Sequence, residues 1–330
     1  MSTPEEAVSG TITYLTICFL GIPFITAYNI ISSIFRGMGD SKSPMYFISI
    51  ACAFNIALDY LFIGLLGFGP AGAALGTTLS QTISVLISLT MICRKKMIPG
   101  FRFSDLKPVR TMMGGLLKIG FPIAMQDGFI QIAFIVITII ANRRGLNDAA
   151  AVGIVEKMIS LFFLVPSSML STVSALSAQN IGAGKHERAS QTLACATTIA
   201  VSYGIVVSIL MQFAGSTAVG LFSSDTDVIR LGTQYLHSYI WDCIFAGIHF
   251  CFSGYFCAYG QSGISFLHNI ISVLCARIPL AYLASKYVPD NLFPMGCAAP
   301  AGSLLSVVIC VAAFIWMKRK LPVFQSGENA

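Results

Sequence analysis

The stretch 11–41, TITYLTICFLGIPFITAYNIISSIFRGMGDS, returns 221 residues later as 232–262, GTQYLHSYIWDCIFAGIHFCFSGYFCAYGQS. Tyr14-Leu15, Phe24, Ser32, Phe35, Gly39 and Ser41 land on Tyr235-Leu236, Phe245, Ser253, Phe256, Gly260 and Ser262. Beyond a three-residue slip in a loop, Pro70, Gly72, Ala74 and the basic run Arg94-Lys95-Lys96 recur as Pro294, Gly296, Ala298 and Lys318-Arg319-Lys320. Residues 1–96 therefore read as a second copy of 222–320, the mark of an architecture made by duplication. Residues 114–221 have no earlier partner, so a complete two-copy protein is expected to carry roughly a hundred further residues ahead of Met1 by the repeat spacing. On that reading the chain is N-terminally truncated.

Composition identifies the solvent around these copies. With 55% hydrophobic and 10% charged residues, a 330-residue chain cannot clothe a water-soluble fold in polar surface. It reads as an all-α integral membrane protein. Nine apolar stretches are long enough to cross about 30 Å of hydrocarbon as helices. They lie near residues 11–34, 43–66, 70–93, 114–141, 149–175, 189–214, 232–258, 263–285 and 293–317. The first is too long for a cleaved signal peptide and lacks a basic leader. A multi-pass protein of the bacterial or archaeal plasma membrane is expected.

Basic loops stay in the cytoplasm, so the 20 Lys and Arg residues orient the chain. The loops after spans one, three, five and nine, with all of 94–118, hold 14 of them, whereas the opposite loops hold Arg143, Arg144, Arg230 and Lys286. This places the C-terminus inside and Met1 outside. The same bias accounts for the net charge of +6 without a nucleic-acid partner. The densest basic segment, which carries Pro99 and Pro108, is the expected joint between two lobes. Residues 1–96 then form three helices of one lobe, 97–113 a cytoplasmic loop, 114–320 a six-helix lobe and 321–330 a tail.

Chemistry that would make the chain an enzyme or an ATP-driven pump is missing from the sequence. There is no Walker lysine loop, no G-x-S-x-G elbow and no H-E-x-x-H. The ten Cys residues lie mostly within spans without C-x2-C pairing, as small apolar packers do. His237, His249 and His268 are scattered at spacings unsuited to a shared metal, and hydrogen-bonded helix positions are the plainer reading.

Function is left to polar groups inside the spans, each costly unless paired or facing water. Asn55 and Asp59 stand four apart, on one face of the second span. The repeat keeps scaffold residues yet replaces this pair with Ala276 and Leu280. A desolvated carboxylate can exchange a proton near neutral pH, or coordinate sodium with neighbouring oxygens, which Tyr14 and Thr77 can supply. The competing reading is an interfacial carboxylate about two turns from the loop 64–69. In the six-helix lobe, Asp127, Glu156, Asp242 and Arg277 lie within spans, one cation among three anions. They form either a second polar site or an internal ion pair, with Glu156 beside Lys157 the best candidate for a solvated pair. Pro23, Pro122, Pro166 and Pro279 are positions where spans are expected to bend, or merely to be shaped. Phe24, Tyr28, Met125, Phe129, Phe134, Met158, Phe162 and Phe163 read as packing, or as the lining of an adaptable cavity.

The stretches Arg36-Gly37-Met38-Gly39-Asp40-Ser41-Lys42-Ser43-Pro44, Asn55-Ile56-Ala57-Leu58-Asp59 and Gly72-Ala73-Ala74 resemble those of multidrug and toxic compound extrusion (MATE) transporters. In the second lobe, Gln179-Asn180-Ile181-Gly182-Ala183-Gly184-Lys185 with Arg188-Ala189 resembles that family's loop between its eighth and ninth helices. Ala178 sits where a Gly is common. The resemblance covers nearly the whole chain. It implies twelve helices in two lobes rocking between outward and inward states, of which this chain matches helices four to twelve. It also implies a proton or sodium site in the first lobe, where Tyr14, Asn55, Asp59 and Thr77 match family positions and the helix-one Asp has no counterpart. A related branch with a seventh-helix Glu is matched less well, because Asp127 falls near that position and not on it.

The expected function is secondary antiport, in which proton or sodium entry drives export of amphipathic, cationic organic compounds by a monomer without a cofactor. A flippase for lipid-linked saccharides is the alternative within the superfamily, but its pyrophosphate calls for cationic cavity residues and only Arg277 is available. An inactive fragment is the remaining reading.

Overall fold

The computed structural model describes residues 5–95, 107 and 109–320, and all regular structure among them is helical. The chain divides into two compact units, Met1–Lys107 and Pro108–Ala330, a division inside the basic segment. Part of that segment and the tail from 321 lie outside the described residues.

The first unit comprises α1 (Glu5–Gly37), α2 (Lys42–Asp59) and α3 (Gly69–Lys95). α3 packs against both partners, which scarcely touch one another. Its core is Tyr28, Ile31 and Phe35 of α1 with Phe47 of α2 and Val85 of α3. The α1–α2 turn explains much of the basic motif, since Gly39 takes φ +86°, open to glycine at little cost. Asp40 then accepts from the Lys42 and Ser43 amides at 3.1 and 3.0 Å and from the Ser43 hydroxyl at 2.6 Å, satisfying the orphan donors that begin α2. Past Asp59, α2 continues as a π-helical turn, Tyr60–Leu65.

The second unit comprises α4 (Arg110–Asn142), α5 (Leu146–Phe162), α6 (Leu164–Gly182), α7 (His186–Gly220), α8 (Thr226–Tyr239), α9 (Asp242–Ala258), α10 (Ser262–Ser272), α11 (Ile278–Tyr287), α12 (Phe293–Gly296) and α13 (Ala298–Lys320). A second π turn, Val273–Arg277, joins α10 to α11. One core gathers α5, α8 and α12 around Tyr235, Tyr239 and Met295. Another gathers α6, α7, α9 and α13 around Val173, Tyr255, Phe256 and Met317.

Among the described residues eight helical segments are apolar and long enough to span a membrane, and α8 with α9, bent by 43°, makes a ninth if the pair is taken as one span. Each corresponds to one of the nine apolar stretches. The internal repeat is visible in the helix ends. Shifted by 221, the ends of α1 fall on Thr226 and Ala258, the first residue of α8 and the last of α9. Gly39 falls on Gly260, which also has positive φ, +69°. Phe35 and Phe256 are both wholly buried.

The two copies differ in their bend, and proline is not the cause. Pro23 and Pro122 sit inside unbroken helices. Pro166 and Pro279 lie in the first turns of α6 and α11, each shortly after an irregularity in its own span, and the Phe162 carbonyl four residues before Pro166 accepts from the Tyr203 hydroxyl at 3.3 Å. The sharp bend falls at Ile240-Trp241, which holds no proline, and α7 accommodates it. Ser208 donates to the Ile240 carbonyl at 3.1 Å and Gln212 to the His237 carbonyl at 2.8 Å. Four residues before Ser208, Gly204 lets the Ile244 backbone approach so closely that a Cβ would sit 3.0 Å from it. Backbone groups freed inside a membrane need such partners.

Candidate functional site

Asp59 ends the regular part of α2, and the π turn begins at the next residue. Such turns shift the register of a helix and recur at functional sites. The carboxylate points at α3, where Gly76 has no side chain, and a Cβ there would run into Asp59 Oδ1. One turn earlier along α3, a Cβ on Gly72 would sit 3.1 Å from the Phe62 backbone of the π turn, a tight contact without collision. The glycines of α3 thus admit α2 and its acid. Although tucked in, Asp59 Oδ1 has no hydrogen-bond partner, nor does the buried Asn55 Nδ2 one turn away. Two unsatisfied polar atoms on one helix face, each costing about 1–3 kcal/mol, are hard to explain as scaffold.

Of the other expected members, Tyr14 on α1 lies within electrostatic reach of Asp59 and has Cys18 as its hydrogen-bond neighbour. Thr77 is exposed and donates to the Ala73 carbonyl at 3.0 Å, so its hydroxyl serves its own helix. The structure brings Asn55, Asp59 and Tyr14 together and leaves Thr77 facing outward, one residue past the niche.

The second unit assembles a different constellation. Arg277, the last residue of its π turn, donates to the Tyr239 hydroxyl and lies over the rings of Phe134 and Tyr239, 5.2 and 5.6 Å from their centroids. Asp242, the first residue after the bend, is buried, and neither carboxylate oxygen has a hydrogen-bond partner. Ser303 bears on it without closing a hydrogen bond. Glu156 of α5 buries Oε1 without a partner. Glu156 and Asp242 each lie within electrostatic reach of Arg277, Tyr235 and Tyr239.

Three expectations change here. Arg277 closes no ion pair, since the salt bridges among the described residues are Arg144–Asp148 and Arg230–Asp227. Its guanidinium is occupied by a tyrosine hydroxyl and two aromatic faces instead. Glu156 forms no pair with Lys157, because neighbours in sequence point about 100° apart on a helix while Glu156 turns inward. Asp127 is exposed and outside the constellation. The inward face of α4 there belongs to its neighbour Gln126, which accepts from Ser265 at 2.9 Å.

Tyr235 and Tyr239 were missed as site residues. Their signal was present, for Tyr235 is the repeat mate of Tyr14, exposed by 38% in the first unit and only 2% in the second, where α5 and α7 cover α8. Of the expected aromatic lining, Tyr28 and Met158 are core residues, and Phe162 and Phe163 pack against the core. His268 is held by Ser253 at 2.9 Å and Ser306 at 3.2 Å. Among the described residues no three His, Cys, Asp or Glu side chains cluster as a metal site.

Among the described residues, up to nine apolar spans in two helical units hold carboxylate oxygens without hydrogen-bond partners, the architecture of a multi-pass membrane protein. A family model described as MatE matches residues 1–61 and 122–283, and the chain belongs to this family of transporters. It is 31% identical over 90% of its length to the "Probable multidrug resistance protein YpnP" of Bacillus subtilis, 66% of which it covers. The "Multidrug export protein MepA" of Staphylococcus haemolyticus is 27% identical over 78% of this chain and 56% of its own. The chain thus spans about two thirds or less of these relatives. The fold matches a MATE crystallised with MaL6 at a TM-score of 0.89, covering 99% of this chain and 73% of that one at 21% identity. A point mutant of the Vibrio cholerae MATE transporter VcmN gives 0.90 over 98% and 73% at 15% identity.

Proposed function

We propose that the protein is a secondary active exporter of amphipathic, cationic organic compounds, in which an inward-moving proton or sodium ion is exchanged for substrate by alternating access. The observation that carries this reading is the unsatisfied Asp59 carboxylate beside Asn55 and Tyr14, faced by the glycine at position 76. A set of oxygen ligands inside a span suits a proton or sodium, both of which bind carboxylate and phenol oxygens. The names of YpnP and MepA support multidrug export. Asp59 binds the ion, Asn55 and Tyr14 lend oxygens, and Thr77 stands at the edge of the site. The second-unit constellation sets two carboxyl groups, Glu156 and Asp242, and Tyr239 around the single guanidinium of Arg277, which favours a cationic substrate over a pyrophosphate. The reading also places the C-terminus in the cytoplasm and treats the working protein as a monomer.

The test is efflux of a fluorescent cationic dye from cells expressing the protein, with Asp59→Asn alongside. Wild-type cells are expected to extrude the dye and to lose this ability when the proton and sodium gradients are collapsed. The variant is expected to fall at least tenfold. Unchanged gradient-driven efflux by Asp59→Asn overturns the assignment of Asp59.

A further inference from the structure

The Gln179–Lys185 and Arg188 motif has no part in the ion site, yet it borders a groove. The groove lies between α6 and α7, offers about 470 Å³ and is predominantly apolar. Met169 and Leu176 of α6 and Ile199 of α7 line its length, and Asn180, Arg188 and Gln191 its polar mouth.

Arg188 is exposed and belongs to neither of the salt bridges among the described residues. Asn180 turns its amide nitrogen to the Leu176 carbonyl at 2.8 Å, and Thr192 its hydroxyl to the Arg188 carbonyl at 2.8 Å. The guanidinium is therefore the one strong donor at the mouth with no acceptor assigned, and Gln191 adds an exposed amide beside it. Glu187, the adjacent acid, is not part of the lining. Lys185, Arg188 and the positive-inside bias put this mouth at the cytoplasmic surface, where anionic lipids concentrate. An unpaired cation above an apolar channel between two spans is complementary to a phosphate above acyl chains.

We propose that this groove holds one anionic phospholipid of the cytoplasmic leaflet. Its phosphate lies on Arg188 with Gln191 assisting, and the first methylenes of an acyl chain run along Met169, Leu176 and Ile199. The rest of the lipid stays in the bilayer. The site is independent of Asp59 and of ion coupling, and rests on the proposed orientation with the Lys185–Arg188 loop in the cytoplasm.

The experiment purifies the full chain, equilibrates it with an equal mixture of phosphatidylglycerol and phosphatidylcholine, and counts retained lipids by native mass spectrometry. Thermal melting of each variant confirms the fold. The wild type is expected to keep phosphatidylglycerol over phosphatidylcholine by at least fivefold. Arg188→Gln is expected to bring this ratio close to one, and Cys195→Trp, which fills the groove wall, to lower retention of both lipids. Lys185→Gln, on the same loop and outside the groove, is expected to leave the preference intact. The proposal is overturned if folded wild type retains neither lipid, if Arg188→Gln keeps the wild-type preference, if Cys195→Trp changes nothing, or if Lys185→Gln loses as much as Arg188→Gln.

Discussion

Asp59 occupies a niche that stability alone does not favour, because its Oδ1 is buried without a donor against a helix that offers only Gly76. Replacing such a carboxylate by its isosteric amide removes a buried charge and keeps the shape. Asp59→Asn is therefore expected to melt at or above the wild-type temperature in detergent at neutral pH while losing ion coupling. A fall of several degrees would mark Asp59 as structural. Gly76→Ala acts from the other side, since its Cβ collides with Oδ1. Overpacking of this kind costs about 1–3 kcal/mol, so thermal melting should show a loss, and ion-driven uptake should fall with it. The Asn55–Asp59 face was legible in the sequence, because helical spacing fixes which residues share a face. What Thr77 does was not, because a hydroxyl on a helix can always turn back to the carbonyl four residues earlier, and only the neighbouring helix decides.

At the scale of elements, the bent α8–α9 span rests on α7. Ser208 and Gln212 are the partners of the Ile240 and His237 carbonyls, so losing either leaves a carbonyl unsatisfied in a dry place. Gln212→Leu is expected to lower stability by about 1–3 kcal/mol, read from denaturation in detergent, and to exceed the same change at an exposed α7 position. A second fastening lies in the loop after α4. Arg144 pairs with Asp148 at 3.0 Å and also donates to the carbonyls of Val288 and Pro289 at 3.2 and 2.6 Å, tying α4 and α5 to the α11–α12 connection. Both side chains of the pair are largely buried. Arg144→Ala should therefore cost about 3 kcal/mol, far more than the exposed Arg230→Ala. Span limits were legible from hydropathy. The location of the bend was not, because prolines mark only one way to break a helix, and here the break is held by side chains 25 and 32 residues away in sequence.

For the whole molecule, duplication was legible because the copies share helix ends, turn glycines and buried phenylalanines. Their divergence in burial was less so, since Tyr14 and Tyr235 carry the same letter and meet different neighbours. Orientation has its own check. In right-side-out vesicles an impermeant lysine reagent followed by peptide mass spectrometry should modify Lys286 and spare Lys42 and Lys185, and the reverse pattern would invert the topology. The central claim is that ion and substrate are exchanged through Asp59, and exchange requires that each weaken the other's binding by the same factor. The direct measurement is the affinity of the purified protein for a cationic dye, titrated at several pH values and sodium concentrations, for wild type and Asp59→Asn. The account predicts that acid or sodium weakens dye binding to the wild type and that the variant binds the dye with no such dependence. An ion effect of equal size in both proteins would contradict it.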